Sequence, residues 1–114
     1  MRVFGAVISL LVSAVAMPAQ IRSFTGEIMD SQCAAVMRSH TKMMQGVEAK
    51  NAKECTQKCV HLGGKYALLD SAAGAAYQLD NQDKAASFAG QKVSVIGTYD
   101  AATKTIHVES IEAR

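Results

Sequence analysis

Tryptophan is missing from the 114 residues, and only three tyrosines and three phenylalanines are present. That leaves little aromatic surface on which to stack nucleic-acid bases. Charge of one sign is equally scarce. Twelve basic against ten acidic side chains give a formal net charge of +2, so the chain makes no electrostatic bid for nucleic acid or an anionic membrane. No apolar run reaches the roughly 20 residues of a comfortable membrane span. The sequence contains no internal repeat, low-complexity tract, domain linker, phosphate loop or serine-nucleophile motif. Cysteine is limited to Cys33, Cys55 and Cys59. An odd count permits at most one internal disulfide and leaves one thiol over.

What is present begins with a leader, MRVFGAVISLLVSAVAMPAQ. Arg2 supplies one positive charge, Val3 to Val15 is apolar or small, and Ala14-Val15-Ala16 offers small residues where a signal peptidase reads them. The expectation is a signal peptide over residues 1–16, with 19 as the alternative end, and a single domain over 17–114. The competing reading, a retained N-terminal anchor, is disfavoured by the shortness of the run. No cysteine lies near the cut, which argues against a lipid anchor. A periplasmic or secreted monomer follows, with no membrane anchor after cleavage. It has 98 residues and a net charge of +1 once Arg2 is gone. A domain of this size buries only about 60–65% of its unfolded surface, so a cross-link would help it. All three cysteines survive cleavage and meet an oxidising compartment.

Along the mature chain, SFTGEIMD (23–30) alternates Phe24, Gly26 and Ile28 against Thr25, Glu27 and Met29, a half-buried strand. Asp30 or Ser31 caps a helix reaching about Gln45. Asn51 with Glu54 signals the start of a second helix. That helix carries Ala52, Cys55, Cys59 and Leu62 on one face and stops at Gly63-Gly64. KYALLD (65–70) and AYQLD (76–80) form a hairpin around SAAGA. Asp80 or Asn81 caps a short helix through NQDKAASFA, ended by Gly90. QKVSVIGTYD (91–100) and TIHVESIE (105–112) make a last hairpin.

The resulting fold class is β-rich α+β. It is a five-stranded, OB-like, partly open barrel with a helical hairpin inserted after the first strand and a short helix between strands three and four. An open mixed sheet with helices on one side is the competing topology. The runs GEIMDSQC, then His40, then CTQKCVHLGGKYALL, and FAGQKVSVIGTYD with TIHVESIE resemble a family of small exported bacterial proteins of unknown function. Its members share a strand ending in Asp before a first cysteine, a histidine, a Cys-x3-Cys helix and an OB-like C-terminal half. The resemblance implies export and the fold, and supplies no activity.

The chemistry concentrates in CAAVMRSHTKMM (33–44). On a helix, Cys33, Met37, His40 and Met44 fall at i, i+4, i+7 and i+11, a stripe of soft or borderline metal ligands. Pairing the two helices antiparallel brings Cys33 toward Cys59, and His40 and Met44 toward Cys55. A Cys55–Cys59 bridge would span one helical turn and be strained. Cys33–Cys59 and Cys33–Cys55 bridges would both tie the helices together; Cys33–Cys59, the favoured pairing, closes the longer loop and contributes roughly 3.5 kcal/mol. Cys55 then remains beside His40 and Met44, a set that suits copper. Without a bridge, Cys33, His40, Cys55 and Cys59 form a Cys3His set for zinc or Cu(I). The candidate metal ligands are therefore Cys55, His40, Met44, Cys33 and Cys59, although C-x6-H-x14-C-x3-C is not a common zinc-finger spacing.

The bland reading is that a Cys, Met, Ala and Leu face is ordinary core. His61 points off the cysteine face and His107 faces solvent. A cysteine hydrolase pairing Cys33 with His40 would exploit a lowered thiol pKa in the first helical turns, but no third group orients it. Cys-x3-Cys also lacks the poise of a thiol–disulfide enzyme. No enzyme activity is expected. The chain reads as an exported binding module capturing copper or zinc. The alternative is a disulfide-stapled structural or interaction domain whose partner is a cell-envelope component.

Overall fold

The computed structural model describes residues 5–11, 20–35 and 51–114. The elements run β1 (Arg22–Asp30), α1 (Ser31–Ala35), α2 (Ala52–His61), β2 (Tyr66–Asp70), β3 (Ala75–Leu79), α3 (Gln82–Ala86), β4 (Lys92–Asp100) and β5 (Thr105–Ala113). The order of strands and helices follows the expected one. The expected first helix lies outside the described residues beyond Ala35, and so do Met37, His40 and Met44. The third helix is shorter than expected, giving way at Ser87 to turns that lead to Gly90. No helix among the described residues is long and apolar enough to cross a membrane.

The five strands form a mixed sheet closed into a ring in the order β1-β2-β3-β5-β4. β1 is long enough to serve two neighbours. Its first half pairs antiparallel with β4 (Arg22↔Gly97 to Glu27↔Lys92), its second half with β2 (Glu27↔Leu69 to Asp30↔Tyr66). β4 and β5 form a long antiparallel hairpin with a register shift at Ile96/Gly97. Closure depends on β3 and β5, which run parallel and share only Gln78↔Thr105 and Leu79↔Ile106. That seam is the shortest in the ring.

Strand alternation sends one set of side chains inward. Phe24, Ile28, Leu68, Leu79, Val93, Val95 and Ile106 are buried there. Ala85 and the partly buried Phe88 join them after β3, so α3 and its following turn plug one end. Gln82 locks that plug. Its Oε1 accepts from the Tyr66 N–H at 2.8 Å, and its Nε2 donates to the carbonyls of Tyr66 (2.9 Å) and Leu79 (3.0 Å). The amide thus acts as one more residue of strand. Toward the start of β1, the opposite end, the rings of Phe24, Tyr77 and Tyr99 meet edge to face and tilted at 5.2–5.9 Å.

A second apolar layer lies outside the ring. Met29, Ala67 and Leu69 are buried against Ala34 and Cys55, with Cys33, Cys59 and Ala76 packed around them. Here β1 departs from the half-buried strand expected. Met29 is fully buried because α1 and α2 cover the outer face where it points. Asn51 caps α2 as expected, its Oδ1 accepting from the Glu54 N–H at 2.9 Å. Leu62 departs from the cysteine face assigned to it. It is the C-cap and 85% exposed, because the chain turns away at Gly63 with φ +112°. The start of α2 sits on Gly90 (φ +75°), where a Cβ would overlap the backbone of Ala52 and Lys53.

Candidate functional site

The outer layer assembles the chain's cysteines around one carboxylate. β1 ends at Asp30, whose side chain is wholly buried. An acidic residue is stable there because the first turn of α1 supplies unpaired N–H groups. Oδ2 accepts from Gln32 N at 3.0 Å and Oδ1 from Cys33 N at 3.3 Å. Ser31 fastens the same turn to the lead-in of β2. Its N–H donates to Lys65 O at 2.7 Å and its Oγ accepts from Lys65 N at 3.1 Å. From the other side α2 presents Cys55, fully buried, and Cys59, partly buried one turn later.

The three thiols touch. Cys33 and Cys59 pack against the buried Cys55 in one layer, and Cys33 sits in the first turn after the Asp30 cap. Cys33 thus lies in the same layer as both Cys55 and Cys59. All three are free thiols in the structure. Burial, then the hydrogen bond to Asp30 and its negative charge, push the Cys33 thiol up to about 12. Burial first and the neighbouring Cys59 second raise Cys55. Burial and then the Asp30 charge raise Cys59, opposed by hydrogen bonds from Cys55 and Cys33.

This electrostatic setting reverses one sequence expectation. A thiol in the first turn of a helix ordinarily gains thiolate character from the helix N-terminus. Here Asp30 already occupies that N-terminus and its charge opposes a second anion beside it. The Cys33 thiol is accordingly protonated at neutral pH, the wrong state for a nucleophile. What the cluster brings together is three sulfurs beside one buried carboxylate. Among the described residues, no group of three or more His, Cys, Asp or Glu side chains is placed to hold a metal ion. His40 and Met44, the other expected ligands, lie outside the described residues.

The remaining histidines sit where expected. His61 is exposed on α2, and His107 is exposed on β5. His107 Nδ1 lies 3.0 Å from Asp80 Oδ2, while Asp80 Oδ1 accepts from Val108 N at 2.8 Å. The backbone hydrogen bond first, and His107 after it, hold the Asp80 carboxyl below its ordinary value. Two features escaped the sequence reading. Asp30 was legible as a helix cap, but its place inside the thiol cluster depends on α2 folding over it. The Phe24, Tyr77 and Tyr99 grouping was signalled only by each residue's inward place in its own strand.

Fold and site together define a small β-rich domain, ringed by five strands and carrying a buried thiol cluster on its outer face. In the sequence comparison, residues 59–114, which include β2 to β5, match a family described as Protein of unknown function (DUF5818). Cys59 falls within the match, and Asp30, Cys33 and Cys55 fall before it. No curated protein and no solved structure matches the chain.

Proposed function

We propose that this chain is an exported binding module on an OB-like barrel, and that its thiol cluster captures a soft metal ion, copper or zinc. The barrel reading is supported by the cyclic strand order, the parallel β3–β5 closure and the helix between the third and fourth strands. Export is supported by the leader, in which Val7, Ile8, Leu10 and Leu11 are 81–92% exposed and stand outside both cores. The protein recovered from its native compartment should begin at Met17 or Gln20. Recovery of the full-length chain in the membrane fraction overturns export.

One observation carries the metal reading: Cys33, Cys55 and Cys59 pack together in one layer, with Asp30 at the start of α1 beside them. Thiolate sulfurs so close select Cu(I) or Zn over hard cations. The sequence offers His40 and Met44 as further ligands of the same character. Titration of the reduced chain with Cu(I) or Zn(II) against a competing chelator should give one ion per chain. His40→Ala and Cys55→Ser should each weaken it by about tenfold or more, as loss of a ligand does. Tight binding that survives loss of both His40 and Cys55 refutes the site.

The second reading is a stapled structural or interaction domain of the envelope. It is favoured by the same proximity of Cys33 to Cys59: a bridge there forms when an oxidant of the oxidising compartment accepts two electrons and the two thiol protons are released. Non-reducing peptide mapping decides. A Cys33–Cys59 bridge with reduced Cys55 and no bound metal supports the staple over the metal centre.

A further inference from the structure

A second feature runs along β3, from the Gln82 plug, Lys65 and the Ser31, Ala34 and Ala35 side of α1 to the open end of the ring. A cavity of about 890 Å³ is lined by all three of the chain's tyrosines, Tyr66, Tyr77 and Tyr99, and by Phe24. Its upper part is the mouth beside the aromatic trio, where β3 rises above the two-residue seam that joins it to β5. Two exposed cations stand over that mouth. The Arg22 guanidinium is held 4.8 Å above the centre of the Phe24 ring. Lys104 lines the cavity from the β4–β5 turn, with φ +53°. Among the described residues neither has a carboxylate partner.

The nearby acids do not cancel these charges. Asp70 and Asp100 turn back into their own loops, accepting from Ala73 N and Ala102 N at 3.0 Å, and neither lines the cavity. Asp80 lines it farther down and is engaged by Val108 and His107. The mouth therefore presents aromatic surface edged by two unpaired cations, one already oriented by stacking. Such a combination holds a flat or apolar ring by its faces and an attached anion by charge-assisted hydrogen bonds.

We propose that the mouth of the ring binds a small anion carried on a ring, the chemistry shared by aromatic acids or phosphates and by acidic sugars. Because the chain has no tryptophan and all its tyrosines line the cavity, its own tyrosine emission reports occupancy. The full chain is titrated with phenyl phosphate, with an oligogalacturonate, with inorganic phosphate (the charge alone) and with benzyl alcohol (the ring alone). Saturable quenching is expected with phenyl phosphate or oligogalacturonate, and the tighter of the two identifies the ring. The charge alone and the ring alone should each bind about tenfold or more weakly.

Arg22→Ala and Lys104→Ala should each weaken the tighter ligand by a similar factor. Lys92→Ala, an exposed cation off the cavity, should leave it unchanged. Both tested cations are exposed, and an unchanged unfolding midpoint confirms that the variants fold. Inorganic phosphate matching the ring-bearing anions, benzyl alcohol matching them, indifference to both Arg22→Ala and Lys104→Ala, or no saturable response to either ring-bearing anion each overturns the proposal.

Discussion

Replacing Gln82 by leucine keeps a side chain of similar length but strips the plug of its three hydrogen bonds to Tyr66 N, Tyr66 O and Leu79 O. Each neutral bond contributes about 0.5–1.5 kcal/mol net, and a buried group left unpaired costs about 1–3. The site is only part-buried, so water recovers some of that loss. The expected destabilisation is about 2–3 kcal/mol, measured as a lower guanidinium midpoint with unchanged slope. For a domain of this size it corresponds to a drop in Tm of roughly 8–24 °C. Gln82→Glu gives the sharper test. One carboxylate oxygen can still accept from Tyr66 N, while the other faces two carbonyls with no proton to donate. Protonation restores a donor, so the introduced carboxyl has a folded pKa above its unfolded value of about 4.3. Its contribution is then present below that unfolded value and is lost as pH rises through the folded one. The gap between Gln82→Glu and the parent should therefore narrow from pH 8 to pH 4. A gap independent of pH, or a Gln82→Leu loss under about 0.5 kcal/mol, would refute the plug.

Gly90→Ala forces a left-handed backbone on alanine and drives its Cβ into the start of α2. A loss of about 2–4 kcal/mol in chemical unfolding is expected, with the thiols becoming more reactive as α2 lifts from the ring. For Cys33, raised to about 12 from 9.0, alkylation by iodoacetamide at pH 8 should be roughly a thousandfold slower than for the same thiol in urea. Rates within about tenfold would contradict that environment. Because the folded thiols titrate above the unfolded ones, their contribution to stability is complete below about pH 9 and is lost as pH rises toward 12. The unfolding midpoint should fall across that interval, and Asp30→Asn should make the fall shallower by removing the charge that opposes the thiolates.

The elements were legible because each is written in local chemistry. Asn51 and Asn81 cap their helices with their own side chains, Gly63 and Gly90 mark left-handed turns, and burial alternates along β4 from Lys92 to Thr98 and along β5 from Ile106 to Ser110. The misread residues are those whose environment comes from a distant element. Met29 looked solvent-facing by alternation until α1 and α2 were laid over it. Leu62 looked apolar enough for the cysteine face, yet the turn at Gly63 carries it out to solvent. Cys33 looked like a thiol with a lowered pKa until the charge on Asp30 and its burial were counted.

By itself the sequence determined the order of strands and helices and the caps. Periodicity, capping and turn chemistry act over a few residues, and the chain states them directly. Only the tertiary structure decided that β3 and β5 close the ring through two residues, and that a buried carboxylate sits among three thiols. It also decided that Arg22 stands over Phe24 at a mouth lined by tyrosines. These arrangements join residues tens of positions apart. Their energies come from burial and from fields in a low-dielectric interior, which exist only once the ring has closed.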